Sequence, residues 1–378
     1  MATGFPVKAN YATGDVLSAT NMNDLSNSVN LLAPSATTGQ VGYSTGTNTA
    51  LSYQPAFLAG KNKIINGDFG VWQRGTSFSL LANSLTYTAD RWASNRDGTG
   101  ATVTASQQTF TPGTAPVAGY ESAYFWQFAQ TVAGSGGTYN QCLFQRIEDV
   151  RTFAGQTITI SFWAKADTTR NLIVGYNQNF GSGGSGSINA STTISVTSSW
   201  TRYTLNYNLT ALSSKTIGTG SNLELYFQIP INTIQTWSFW GVQLEAGSTA
   251  TSFTTATGTI QGELAACQRY FQRFANGADN TSEFISMGQA TSTSATVQTI
   301  RMPVVMRGNP VLTISSGSHF SVTTSTYSLS ATTGVAADQY SPRTVSFSTS
   351  GSTGLTAGNA SGLRANSASA TLDLSAEL

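Results

Sequence analysis

Charge is scarce in this chain. Lysine and arginine number 18 and aspartate and glutamate 17 among 378 residues, so charged side chains make up 9% of it, against about a quarter in ordinary soluble proteins. A formal net charge of +1 offers little attraction to nucleic-acid phosphates or an anionic bilayer. We therefore expect no nucleic-acid partner and no membrane insertion. No run approaches the roughly 18 uninterrupted apolar residues of a membrane span, and Met1 to Tyr11 lack the basic start and apolar stretch of a secretory signal. Histidine occurs once, as His319 in a turn-like Gly317-Ser318-His319-Phe320, which gives Ser/His/Asp chemistry little to build on. Cysteine occurs twice, as Cys142 and Cys267, far apart in the sequence. Two thiols make no disulfide framework and show no zinc spacing. They read as packed free thiols of a protein made in a reducing cytoplasm, with no metal and no cofactor.

Acid–base chemistry is equally thin. Glu148 and Asp149 adjoin, but neighbours on a strand point to opposite faces. They could not flank one glycosidic bond at the roughly 5–9 Å a hydrolase needs. Distant acids that folding could still gather are Asp68, Asp90, Glu121 and Glu148. Gly181, Gly183 and Gly186 satisfy G-x-G-x-x-G formally, yet Ser, Asn and Thr follow where the dinucleotide fingerprint needs a helix. They read as a flexible loop. The four Asn-x-Ser/Thr matches, at Asn189, Asn208, Asn280 and Asn359, are the chance yield of so hydroxyl-rich a chain.

What is abundant is glycine, at 37 residues, with Ser, Thr and Asn filling much of the rest. A chain this long exceeds one ordinary core, and three regions separate by pattern. Residues 1–60 hold one helical seam, Met22, Leu25, Val29 and Leu32, capped by Ser18 or Thr20 and closed by Pro34. About 14 residues of helix are marginal alone, so this seam needs its own domain or sister chains. Ser35 to Gly60 reads as a linker with a hairpin around Gly46-Thr47-Asn48.

Residues 61–257 carry strand after strand. Ile158, Ile160, Phe162 and Ala164 alternate, as do Tyr203, Leu205, Tyr207 and Leu209, and Leu223, Leu225, Phe227, Ile229 and Ile231. Each run is bounded by Gly, Ser or Asn, the mark of an antiparallel sandwich, and the size suits a jelly roll. Residues 258–378 begin with Ile260, Leu264, Cys267 and Phe271 at helical spacing, giving way to a strand near Arg269–Phe274. Further strands follow at Ile300, Met302, Val304 and Met306, at Val311 and Thr313, and at Val345 and Phe347. The alternation of Leu372, Leu374, Ala376 and Leu378 predicts a terminus tied into a sheet. The fold class expected is thus mainly β: a short N-terminal helical stem, an antiparallel jelly-roll β-sandwich and a C-terminal β-rich domain.

An ordered series of motifs resembles phage tail-fibre and appendage proteins with a jelly-roll carbohydrate-binding-module-like domain. It runs from Gly14-Asp15-Val16-Leu17 and Asn21-Met22-Asn23 to Asn66-Gly67-Asp68-Phe69, Trp72-Gln73-Arg74-Gly75-Thr76-Ser77-Phe78 and Tyr87-Thr88-Ala89-Asp90-Arg91-Trp92. It continues through Ile158 to Ala166, Gly241 to Gly247, Ala250 to Phe253, Cys267 to Phe271 and Pro303 to Arg307. The resemblance implies a virion subunit assembled in a bacterial cytoplasm, a homotrimer that joins other tail or baseplate proteins through Met22, Leu25, Val29 and Leu32. Related modules begin Asn-Gly-Asp-Phe-Glu and hold calcium with that glutamate and a late aspartate. Here Gly70 stands at the first position and Trp240-Gly241-Val242 at the second, so a calcium site is not expected.

The function this implies is attachment to the host cell surface by binding surface polysaccharide. A purely structural decoration or connector is the alternative, and a depolymerase is the least expected. Sugar binding needs an aromatic face with amides and hydroxyls around it, and 7 Trp and 14 Tyr are available. Trp163, Trp200, Trp237 and Trp240 fall within strand patterns and read as core, as do Trp72 and Trp92. The candidates are aromatics in polar loops: Tyr139, and Tyr176 with Phe180 beside Asn177 and Asn179.

Overall fold

The computed structural model describes residues 40–43, 52–55 and 60–378, apart from 118–119, 138, 277–282 and 324–328. The seam Met22, Leu25, Val29 and Leu32 lies outside these residues. Of the linker, β1 (Gln40–Tyr43) pairs antiparallel with β2 (Ser52–Pro55), which is the expected hairpin pairing.

Twelve strands then build a sandwich: β3 (Ser77–Ser79), β4 (Leu85–Tyr87), β5 (Ala93–Arg96), β6 (Thr102–Thr109), β7 (Tyr124–Val132), β8 (Tyr139–Ile147), β9 (Thr157–Ala166), β10 (Arg170–Asn179), β11 (Ile188–Val196), β12 (Thr201–Asn208), β13 (Asn222–Pro230) and β14 (Gln235–Ala246). One sheet runs β11-β10-β13-β8-β5-β4 and the other β12-β9-β14-β7-β6-β3, with every neighbour antiparallel. The period of two sends Leu172, Val174, Leu225 and Phe227 of the first sheet against Ile158, Ile160, Phe162 and Phe239 of the second. Trp92, Trp126 and Trp237 are fully buried in the same core, Trp72 packs on its margin, and Cys142 lies within it as a free thiol. Trp163 and Trp240 belong to a second aromatic cluster with Phe110, Phe125 and Phe253. Trp200, expected within a strand, precedes β12 and packs half-buried on that cluster.

The helix α1 (Ile260–Gln268) follows, with Thr259 as N-cap accepting from the Gly262 N–H at 3.1 Å. Half of its expected apolar face is corrected: Cys267 and Phe271 are buried as expected, Ile260 and Leu264 are not. Ile260 is 57% exposed and Leu264 is also exposed, while Glu263 and Cys267 are buried. Glu263 faces inward because its carboxylate accepts from the Asn66 N–H at 2.7 Å, the Thr257 N–H at 2.7 Å and the Thr257 hydroxyl at 2.9 Å. A buried charge held by three donors overrides the hydrophobic spacing.

Ten more strands complete the chain: β15 (Phe271–Asn276), β16 (Phe284–Ala290), β17 (Thr296–Arg301), β18 (Val311–Ile314), β19 (Phe320–Thr323), β20 (Leu329–Ala331), β21 (Gly334–Tyr340), β22 (Thr344–Ser350), β23 (Ala360–Ala365) and β24 (Thr371–Ser375). They form a sheet β15-β24-β18 and a sheet β20-β19-β23-β16-β17-β22-β21. Between these sheets Leu372 and Leu374 meet Phe320, Val322, Phe347 and Leu363 in a separate core. The terminal alternation is thus a strand in the middle of a sheet. The expected strand through Met302 to Met306 stops at Arg301.

Arginines fasten this second unit to the sandwich. Arg74 and Arg91 both pair with Glu377, Arg74 lies over the Phe271 ring at 3.6 Å, and Arg91 over Tyr270 at 3.4 Å. Arg146 donates to the Leu378 carbonyl at 2.8 Å and Tyr87 to the same oxygen at 3.0 Å.

Candidate functional site

Tyr139 opens β8 and is 39% exposed, in a cleft of about 580 Å³. Asn83, Asn95, Asp97, Thr99 and Gln228 line the cleft with it, together with Gly98, Gly136 and Gly137. These side chains come from four segments that only sheet pairing unites. Asn95 on β5 and Gln228 on β13 both pair with Gln141 of β8, from its two sides. Each partner arrives through a break in register, between Ala93 and Asn95 on one side and Phe227 and Gln228 on the other. Bulges of this kind re-aim side chains at a sheet margin.

Glycine lets the rim close. The Thr99 N–H donates to the Ser135 carbonyl at 2.8 Å, and the Ser135 N–H returns to Thr99 at 2.9 Å. Between them Gly98 sits at φ +68°, where a Cβ would lie 2.4 Å from the Ser135 oxygen and 2.7 Å from Ile231 Cδ1. Only glycine takes that backbone so close to its neighbour. Asn83, at φ 52°, turns the chain back and donates its N–H to Arg96 at 2.6 Å. The cleft therefore combines one exposed aromatic ring, three amides, a hydroxyl and a carboxylate. Among the described residues lining it, Asp97 alone carries a carboxyl group.

The other aromatic candidates are corrected. Tyr176 lies on β10, not in a loop, and is 4% exposed; its hydroxyl donates to Asn208 at 3.3 Å, and its ring meets Tyr207 edge-on at 5.4 Å. Phe180, just past the strand, is fully buried with Lys215 over it at 5.9 Å. The polar run around them is strand alternation in disguise. Gln178 is buried and completes both its amide bonds on Thr210, each at 3.0 Å. Asn177 and Asn179 take the opposite face and are half-buried. Asn179 accepts from the Gly181 N–H at 2.9 Å, turning the chain into the glycine loop, while Asn177 Oδ1 is buried without a partner. Neither belongs to the Tyr139 cleft.

The dispersed acids separate too. Glu148 and Asp149 sit in the turn after β8 rather than on a strand, and Glu148 bonds Arg269 at 3.0 Å. Asp90 is buried, accepts from the Gln73 N–H at 3.1 Å, and is pushed up to about 6 by burial, which Arg74 at 3.5 Å only partly offsets. Asp68 and Glu121 do share a pocket, on the other sheet, with Tyr120, Tyr124 and Ile260. His319 ends a short 3-10 turn and bonds Ser315 through Nδ1 at 2.8 Å. Among the described residues no helix is long and apolar enough to cross a membrane, and no group of three or more His, Cys, Asp or Glu could hold a metal ion.

Known proteins offer a distant fold likeness. No family model matches the chain, and no curated protein matches its sequence. Among solved structures, the enzymatically active domain of tailspike protein 4 from bacteriophage CBA120 is similar at 14% identity and a TM-score of 0.33, over 50% of this chain and 22% of that one. A family 11 carbohydrate-binding module from Clostridium thermocellum, bound to a mixed-linked tetrasaccharide, is similar at 16% and 0.29, over 46% and 98%. A Stig cyclase from Fischerella sp. is similar at 12% and 0.33, over 50% and 98%. One tailspike, one sugar-binding module and one cyclase thus share the likeness. At these scores it carries no functional argument.

Proposed function

We propose that this chain is a phage tail-fibre subunit that binds host surface polysaccharide through the Tyr139 cleft, without catalysis, on a jelly-roll sandwich. The observation that carries this reading is the exposed Tyr139 ring among Asn83, Asn95 and Gln228. A pyranose presents an apolar face that stacks on such a ring, and its hydroxyls pair with amides that both donate and accept. Hydrolysis would need two carboxyls set about one bond, and the described lining carries Asp97. Weak single sites gain from copies on one axis, which suits the homotrimer that the motif series implies.

A glycan array probed with the full chain tests the reading, run beside Tyr139→Ala. Binding to one oligosaccharide class that disappears in the variant supports it; an array without signal, or signal indifferent to Tyr139, refutes it. Light scattering that returns a stable monomer at micromolar concentration removes the trimer.

The connector alternative draws on a different face. Phe284, Met287 and Val297 are exposed on β16 and β17, and the Phe284 ring and Met287 sulfur both close over Gly362. An apolar group of this kind suits a protein neighbour. Particles that assemble normally with Met287→Asp would set it aside.

A further inference from the structure

The pocket beneath Tyr120 has a charge that its own walls leave unmatched. Asp68 and Glu121 line it with Tyr120, Tyr124 and Ile260, in a volume of about 510 Å³. The carboxylate of Asp68 is weakly held: the Gly70 N–H reaches Oδ1 at 3.4 Å and the Tyr120 hydroxyl reaches Oδ2 at 3.3 Å. Both contacts are long for charge-assisted bonds. Glu263 stands behind it and, among the described residues, is engaged by Asn66 and Thr257, all neutral donors. Among the described residues no ion pair involves Asp68, Glu121 or Glu263. Burial and the Glu263 charge raise the Asp68 carboxyl above its ordinary range. An arriving cation would relieve both.

The space is shaped for an organic cation. A Cβ placed on Gly70 would stand 3.5 and 3.6 Å from the Asp68 oxygens and 3.6 Å from Ile260 Cδ1, so the absent side chain leaves room beside the carboxylate. One wall is rigid. Tyr120 packs edge-on against Trp240 at 5.5 Å and Phe253 at 5.7 Å, and Trp240 Nε1 donates to Ser122 at 2.7 Å. Aromatic and aliphatic walls with a carboxylate at one end and a second, Glu121, at the rim suit a small ring bearing an ammonium. A metal ion would want more oxygen donors than these.

We infer that this pocket binds an amino sugar with a free amine, its ammonium on Asp68 and its ring against Tyr120. It shares no lining residue with the Tyr139 cleft, so the two sites stand or fall separately. The test is calorimetric titration of the full chain carrying Tyr139→Ala, with glucosamine, N-acetylglucosamine, glucose and n-butylammonium as probes. Glucosamine should bind at least about tenfold more tightly than glucose or the acetylated sugar, the scale of one charge-assisted bond. Asp68→Asn should erase that preference while leaving the melting temperature unchanged or higher. Gly70→Leu, which fills the space while keeping the carboxylate in place, should abolish binding. Equal affinity for glucosamine and glucose, a preference that survives Asp68→Asn, or tighter binding of n-butylammonium than of glucosamine would each overturn the assignment.

Discussion

Arg74 donates through Nη2 to Glu377 Oε1 at 2.9 Å, joining residues 303 positions apart. Glu377 takes Arg91 on its other oxygen, and all three side chains are nearly buried. Removing the shared acceptor leaves Arg74 with Asp90 as its remaining ion partner and Arg91 with the Arg146 carbonyl, at the junction of the two cores. We expect Glu377→Ala to cost about 3 kcal/mol, the scale for breaking a buried pair, and Glu377→Gln less. Urea denaturation measures it. A variant as stable as the parent would mean the junction rests on Tyr270 and Phe271 instead.

Asp90 predicts a pH effect of defined sign. Its folded carboxyl titrates at about 6, raised from 3.8 by burial. Between these values the folded chain holds a proton that the unfolded chain has released. This group's stabilising contribution is therefore fully present below about pH 4 and is lost as pH rises through about 6. Asp90→Asn removes the dependence. The stability difference between variant and parent should change by up to about 3 kcal/mol between pH 4 and 7.5, read from denaturation curves at each pH. A difference independent of pH would contradict the buried ionisation.

Gly98 is a backbone requirement of the cleft. Gly98→Ala forces a Cβ to 2.4 Å from the Ser135 carbonyl at a positive φ, and the loop pair must separate. The expected cost is about 1–3 kcal/mol, with glycan binding lost in the same variant. Gly136→Ala also meets a positive φ but nothing within 4 Å, so it should cost less and spare the Thr99–Ser135 pairing.

Tyr139 and Tyr176 should separate by stability. Tyr176→Ala empties a core position and should cost about 3 kcal/mol, whereas Tyr139→Ala should stay within about 0.5 kcal/mol. Similar losses for both would place Tyr139 in the packing.

The sequence made the strands legible where one face is apolar. Ile158 to Ala166 and Leu223 to Ile229 alternate cleanly because every second residue enters the core, and Leu372 and Leu374 disclosed the closing strand for the same reason. Alternation fails as a guide where the buried partner is polar. Gln178 and Glu263 are inside because backbone donors and acceptors receive them, and no periodicity scale anticipates that. The polarity of Gln178 disguised β10 as a loop, and buried Glu263 left Ile260 and Leu264 of the expected α1 face exposed while Cys267 stays inside. The Tyr139 cleft was half legible. The exposed ring stood out in its glycine-rich setting, but Asn83, Asn95, Asp97 and Gln228 join it through bulged pairings that link distant segments.

The most direct measurement is a titration of the full chain with the oligosaccharide that the array selects, comparing the parent with Tyr139→Ala, Tyr139→Phe and Gln228→Ala. Tyr139→Ala should weaken binding by at least about tenfold, the range for losing an aromatic platform. Tyr139→Phe should retain most of the affinity, and Gln228→Ala should fall between them, with melting temperatures unchanged throughout. Undiminished affinity in Tyr139→Ala, or release of reducing sugar from the polysaccharide by the purified chain, would contradict a binding-only site at Tyr139.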